Sequence, residues 1–266
     1  MSLSETFSCD SPVALVTGSA APRVGRAIAL RLASRGCRVA IHANTSTEMG
    51  GDVVEQLRRD GGEAILVRAA MEHDGEVESM VAHVIDHFGR LDILVNSAAI
   101  WTPKPIEQVT AADVRRYFEI NATGCFVAAR AAGLHMVSQP SGGAIVNISD
   151  WATVRPYLDH AAYFPSKGAI EAMTRSLAVE FGVRNPRVRV NGVMPGPVLL
   201  GDDVDDETRR AIQSGVLLRR IGTAEEVAHA VEFLCENAFI TGVLLPVDGG
   251  KSVYANDGLQ SGLNTG

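Results

Sequence analysis

Residues 13–36 read VALVTGSAAPRVGRAIALRLASRG. The stretch opens on an unbroken apolar run, which suits a strand buried on both faces. Gly18 ends that run, and Gly25 follows seven residues later. From Gly25 onward apolar residues recur at helical spacing until Gly36 closes the helix. A strand, a glycine turn and a helix in that order make an anion site. The glycines let the backbone approach a pyrophosphate, whose charge then meets the helix N-terminus. The plainer alternative is an ordinary strand–helix turn.

The alternation continues along the chain. RVAIHA (38–43), EAILVRA (63–69), LDILVNSAA (91–99), GAIVNIS (143–149), VRVNGVMPG (188–196) and GVLLPVDGG (242–250) read as further strands. Helical patterns fall between them at 47–60, 77–89, 110–137 (one long helix or two), 163–182 and 225–237. Apolar strands alternating with helices predict an α/β fold, a doubly wound seven-stranded parallel sheet with helices on both faces. Seven strands and the glycine-rich first turn count against a β/α barrel. The expected organisation is an N-terminal extension (1–11), one catalytic domain (12–250) and a C-terminal tail (251–266) rich in Gly, Ser and Asn and loose at its end. A segment at about 197–222 breaks the alternation. It carries the acidic DDVDDE and then RRAIQSGVLLRRIG, and reads as a solvated helical flap or a lid over a site.

Composition narrows the function. With 266 residues, 46% hydrophobic, the chain can bury one large core. A net charge of -7 gives no global pull toward nucleic acid or an anionic membrane. The four cysteines (9, 37, 125 and 235) show neither CxxC nor zinc spacing, so no metal site is expected. Cys37 and Cys125 lie in apolar surroundings and read as buried thiols of a reducing, cytoplasmic setting. The opening MSLSETFSCDSP lacks the basic and apolar regions of a secretory signal. No apolar run approaches the ~20 residues that span a bilayer.

After the second strand a sheet that binds NAD usually places Asp or Glu, to hold the adenine ribose. Here His42 leads into Ala43, Asn44, Thr45 and Ser46, with no acid before Glu48. Arg23 stands in the glycine turn. An arginine fork suits a phosphate, so the pattern points to NADPH. A solvated surface arginine is the alternative.

Tyr163 and Lys167 are four residues apart, hence on one helical face. An ammonium beside a phenol lowers the phenol from its ordinary value near 10 and makes it an acid–base group. Pro165 fits only in a first helical turn, so the helix should start close to Tyr163. Asn96, Asn121 and Asp150 fall on the same edge as the tyrosine, beyond the carboxyl ends of the strands, where open parallel sheets bind ligands.

Over residues 12–250 these features resemble the short-chain dehydrogenase/reductase family. The matching pieces are the TG-rich turn, NSAA (96–99), NATG (121–124), YFPSK (163–167), VNGVMPG (190–196) and ITGVLLPVDGG (240–250). The resemblance implies a Rossmann fold, hydride transfer with a nicotinamide cofactor, and a homotetramer built on the long helices around 110–137 and 163–182. It implies that Tyr163 donates the proton and that Lys167 holds the nicotinamide ribose and tunes Tyr163. It implies that Asn121 anchors a relay water and that Asn96 and Ala98 line the cofactor side. Gly18, Val24 and Gly25 would shape the phosphate turn, Thr17 would brace it, and Pro195 and Gly196 would border the nicotinamide.

Three departures refine this. Asp150 stands where most members carry serine, TGSAAPRVG resembles the TGxxxRxG turn of pteridine reductases with one extra residue, and Trp101 matches an aromatic that stacks on the pterin. The resemblance therefore implies the pteridine reductase branch. Ala70, in place of the usual adenine-contacting Asp, cuts the other way, because that contact is lost. NADPH would reduce a dihydropterin or a similar flat heterocycle held by Trp101, Asp150 and Tyr163. Tyr157, Leu199, Leu200 and the 202–218 flap are candidate pocket walls. The alternatives are a carbonyl or oxoacyl reductase, where an ionised Asp150 would repel the developing oxyanion, and a non-catalytic NADPH-binding sensor.

Overall fold

The computed structural model describes residues 1–201 and 204–254. Residues 202 and 203 of the expected flap and 255–266 of the expected tail lie outside the described residues. The strands are β1 (Val13–Val16), β2 (Arg38–Ala43), β3 (Ala64–Arg68), β4 (Ile93–Asn96), β5 (Gly143–Ile148), β6 (Val188–Pro195) and β7 (Leu244–Val247). They form one all-parallel sheet in the order β3-β2-β1-β4-β5-β6-β7. The chain steps outward from β1 in one direction, then crosses to β4 and steps outward in the other. That reversal opens a crevice above the ends of β1 and β4, the place where such sheets bind ligands.

The helices are α1 (Leu3–Phe7), α2 (Val24–Ser34), α3 (Thr47–Arg59), α4 (Asp74–Phe88), α5 (Ala111–Tyr117), α6 (Gly124–Ser138), α7 (Tyr163–Arg184), α8 (Asp206–Ser214) and α9 (Ala224–Glu236). Alternate strand residues supply two cores. Ala14 and Val16 face Ile28 and Leu32 of α2 and Val227 and Leu234 of α9. Val13 and Leu15 face Val84 of α4, Met136 of α6 and Phe181 of α7. Both faces of β1 are therefore dry, which is why its sequence shows no polar alternation.

One expectation about organisation changes and another is refined. Residues 1–11 are not an appended extension: α1 puts Leu3 and Phe7, each 2% exposed, into the same core as α2 and α9. The stretch at 110–137, expected as one long helix or two, is two α-helices, α5 and α6, run together without a break. Between α5 and α6 runs a π-helical turn, Phe118–Thr123, which contains Asn121. Gly124 follows it because a Cβ there would come within 2.3 Å of the Met71 carbonyl oxygen.

A buried charge anchors the base of the sheet. Asp92 is wholly buried, accepts from the Val13 N–H at 2.8 Å and receives the Arg90 guanidinium at 2.6 and 2.8 Å. All four cysteines are free. Burial pushes the Cys125 and Cys235 thiols up to about 12, so neither is a thiolate at neutral pH. Among the described residues no helix is long and apolar enough to cross a membrane, and no group of three metal-ligating side chains occurs.

Candidate active site

A cleft of about 650 Å³ lies above the carboxyl ends of β1, β2, β4, β5 and β6. It takes in three sets of the residues singled out in the sequence. Gly18, Arg23, Val24, His42, Asn44, Thr45 and Ser46 line it from the glycine turn and the end of β2. Ala98, Pro195 and Gly196 line it from the ends of β4 and β6. Trp101, Asp150, Tyr163 and Lys167 complete it, together with Leu199.

The glycine turn is held from below. Gly18 has φ +66°, and a Cβ there would lie 2.8 Å from the Ala98 Cα. A Cβ on Gly25 would lie 2.5 Å from the Gly18 carbonyl oxygen. Thr17 is wholly buried, and its hydroxyl oxygen accepts from the Ser97 and Ala98 N–H groups at 2.9 and 3.0 Å. His42 is nearly buried as well. Its Nδ1 accepts from the Gly18 N–H at 2.9 Å, and its Nε2 bonds the Ala69 carbonyl at 3.0 Å, so the proton sits on Nε2. Burial lowers its pKa, which keeps this neutral form. Thr17 and Gly25 therefore build the turn from beneath, while His42 both lines the cleft and clamps the turn.

These features suit a dinucleotide. The two glycines leave room where any side chain would intrude, the turn feeds the N-terminus of α2, and Arg23 at the helix cap is exposed to the cleft with no side-chain partner among the described residues. No acid stands between His42 and Ser46. The Ala70 N–H donates to Glu76 at 2.8 Å, and Met71 and Glu72 line the cleft beside it.

At the reacting end, α7 starts at Tyr163 and accommodates Pro165 in its first turn. The Tyr163 hydroxyl donates to Asp150 Oδ2 at 2.9 Å, and Asp150 Oδ1 accepts from the Ala152 N–H at 2.9 Å. Lys167 is buried and donates to the Ile148 carbonyl at 2.8 Å. Its nitrogen lies 5.9 Å from the centre of the Tyr163 ring.

The expected lowering of Tyr163 by Lys167 is reversed. Burial raises the phenol well above its ordinary value, and the charge and hydrogen bond of Asp150 raise it further. Burial likewise raises the Asp150 carboxyl, opposed by the Ala152 N–H, the Tyr163 hydroxyl and Lys167. Lys167 itself is lowered by burial. Tyr163 is thus held as a neutral hydroxyl, a proton donor rather than a phenolate.

The two asparagines take structural partners. Asn96 lies under the cleft rather than on its wall. Its amide donates to Asn147 at 2.9 Å, tying β4 to β5, and its Oδ1 is buried without a partner. The side chain of Asn121 is committed to protein. It accepts from the Ile100 N–H at 2.8 Å and donates to the Ile100 carbonyl and the Ser166 hydroxyl, both at 3.1 Å. Both amide hydrogens are used, so this side chain clamps the loop after β4 to α7.

Sequence reasoning missed Arg116, Ile120 and Val198, which also line the cleft. It also missed His160, which stacks on Trp101 with ring centres 4.7 Å apart. Tyr157 is not on the cleft wall but packs edge-on against His160. Leu200 does not line the cleft.

The model of the family described as enoyl-(acyl carrier protein) reductase matches residues 19–252. The chain belongs to the short-chain dehydrogenase/reductase family. Curated relatives agree along their whole length. A versicolorin reductase of Emericella nidulans is 33% identical over 94% of this chain and 99% of its own. A 3-oxoacyl-[acyl-carrier-protein] reductase of Synechocystis is 34% identical over 91% of this chain and 97% of its own. A glucose 1-dehydrogenase of Bacillus subtilis is 30% identical over 91% and 95%. This short-chain reductase is an oxidoreductase enzyme, which sets aside the reading as a non-catalytic sensor. Members of the family work with nicotinamide cofactors.

Proposed function

We propose that this short-chain reductase uses NADPH to reduce a carbonyl group carried on a flat, ring-bearing substrate. One observation carries the reading: the neutral Tyr163 hydroxyl, hydrogen-bonded to Asp150 at 2.9 Å, faces the same cleft as Arg23 and Trp101. When bound, the nicotinamide supplies the hydride. The chain supplies the rest. Gly18, Val24 and Gly25 with the N-terminus of α2 hold the pyrophosphate, and Arg23 with Asn44, Thr45 and Ser46 holds the 2′-phosphate. Ala98, Pro195 and Gly196 border the nicotinamide, and buried Lys167 stands at its ribose.

Tyr163 gives its proton to the substrate oxygen as that oxygen gains charge. Asp150 holds the hydroxyl in place. The sequence alone suggested that an aspartate would repel a carbonyl oxygen. Hydrogen bonding answers that objection, because Asp150 Oδ2 accepts from the Tyr163 hydroxyl and Oδ1 from the Ala152 N–H, so both carboxyl oxygens are engaged behind the tyrosine rather than aimed at the substrate oxygen. The relatives named as a versicolorin reductase and a 3-oxoacyl reductase support a carbonyl over a pterin.

The second reading is a dihydropterin or similar flat heterocycle. Asp150 in the serine position and half-exposed Trp101 favour it. A homotetramer belongs to the proposal, since α6 and α7 leave Phe126, Leu134, Val179 and Val183 exposed. So does a cytoplasmic setting, in keeping with four free cysteines. The test is NADPH oxidation with a polycyclic ketone, a quinone, an acetoacetyl thioester and dihydrobiopterin, with NADH run alongside. Turnover of the carbonyl compounds that Y163F loses supports the reading. Turnover of dihydrobiopterin alone replaces it with the pterin one, and no NADPH-dependent turnover refutes both.

A further inference from the structure

His160 has no part in the chemistry above, yet it is placed with care. The residue is buried, 6% exposed, between Tyr163 and Trp101. The Nδ1–H donates to the Leu158 carbonyl at 2.9 Å, and Nε2 is buried with no partner. A phenylalanine would fill such a space without an orphaned nitrogen, so packing alone does not account for a histidine. What the Nδ1 bond adds is a fixed ring plane. That plane lies against the indole of Trp101, centres 4.7 Å apart and 23° from parallel. Tyr157, Phe164 and Tyr163 wedge the imidazole from the other sides at 5.0, 5.9 and 6.1 Å.

The backbone registers the pair on the site. The His160 carbonyl accepts from the Tyr163 and Phe164 N–H groups at 3.0 and 3.2 Å, so it is bound to the first turn of α7. The preceding Asp159 has φ +65°, and its carbonyl accepts from the Lys104 N–H at 2.7 Å. That bond ties the loop carrying Trp101 to the loop carrying His160. Trp101 itself is 50% exposed, lines the cleft, and has no other aromatic ring stacked face to face on it among the described residues.

We propose that His160 is a positioning residue that sets substrate specificity: it backs the Trp101 indole so that the other indole face is presented, at a fixed height above Tyr163, to a flat substrate ring. The proposal rests on Trp101 being the substrate platform, as the proposed function has it. A loop tryptophan without this backing would swing freely and reward ring substrates little. Small aliphatic carbonyl compounds, which do not use the platform, are indifferent to His160.

The test uses the full-length enzyme with NADPH, 9,10-phenanthrenequinone as the flat probe and ethyl acetoacetate as the small one. H160A is expected to raise KM for the quinone roughly fivefold, the order of one lost aromatic stack, with kcat and the small-probe KM unchanged. H160F keeps a ring at the back of Trp101 but loses the Nδ1–H bond to Leu158 that fixes its plane, so it is expected to recover only part of the loss, leaving KM about twofold above wild type. In the W101A background H160A should add nothing, because His160 acts through the indole. A readout independent of turnover uses W151F, which leaves Trp101 as the only tryptophan. There H160A should increase acrylamide quenching of the indole and weaken its quenching by the quinone, and H160F should do both to a smaller degree.

W101A with unchanged quinone affinity refutes the platform, and His160 falls with it. W101A impaired but H160A like wild type, in KM and in fluorescence, refutes His160 alone. An H160A effect that is equal for both probes, falls on kcat, or persists in W101A makes His160 a structural residue and overturns the proposal.

Discussion

Replacing Gly18 by alanine tests how tightly the nucleotide turn is built. Two costs add. Gly18 sits at φ +66°, which a Cβ disfavours by about 1 kcal/mol. The new methyl would also meet the Ala98 Cα at 2.8 Å and the Ala98 nitrogen at 3.0 Å. Those atoms cannot step aside cheaply, because the Thr17 hydroxyl oxygen holds the Ala98 N–H at 3.0 Å and the Ser97 N–H at 2.9 Å. Overpacking against a held backbone adds about 1–3 kcal/mol. The sum, roughly 2–4 kcal/mol, lowers the unfolding midpoint of a chain this size by about 5–15 °C. The shift also pulls the Gly18 N–H from His42 Nδ1, so cofactor affinity should fall with stability.

The internal control is Gly51 in α3, where a Cβ would meet nothing within 4 Å. G51A should stabilise by about 0.5–1 kcal/mol, as alanine does in an open helical position. Thermal unfolding by circular dichroism and NADPH titration by fluorescence read both variants. A G18A midpoint within about 2 °C of wild type, with cofactor affinity intact, would refute the close-packed turn.

Three further outcomes are expected. R23A should weaken NADPH about 10- to 100-fold, the worth of one charge-assisted bond, and leave NADH unchanged; equal losses for both would place Arg23 away from the 2′-phosphate. Burial raises the Asp150 carboxyl in the folded state, so folding gains from its protonation and loses as pH rises from the ordinary carboxyl range through the raised value. D150N should therefore be more stable than wild type at neutral pH, with the gap closing on acidification; denaturant melts across pH check the sign. D92A strands the Arg90 guanidinium and the Val13 N–H and should cost about 3–5 kcal/mol, and a change under about 1 kcal/mol would show that the pair is idle.

Much of the scaffold was legible along the chain because its causes are local. Doubly buried strands show as unbroken apolar runs, helices show as 3.6-residue periodicity, and Tyr163 and Lys167 must share a face at four-residue spacing. The order of strands and helices then dictated the sheet, the crevice and the edge on which the chemistry lies. Local signals were weakest where the chain meets itself. Leu3 and Phe7 looked like an extension, yet they find their partners in α2 and α9, far along the sequence.

The site's electrostatics and its support belong to the tertiary structure. Reference pKa values and spacing suggested that Lys167 would lower Tyr163, but the sign is set by burial and by Asp150, which no spacing reports. Thr17 acts through Ser97 and Ala98, about eighty residues away, and Asn96 through Asn147. Asn121 joins the loop after β4 to Ser166 of α7, a clamp that no spacing reports. His160 carried no sequence signal, because its value is a ring plane set against Trp101, fifty-nine residues earlier. Composition and periodicity determine which surfaces are dry. Which polar atoms meet, and in which protonation state, follows only once those surfaces have closed on one another.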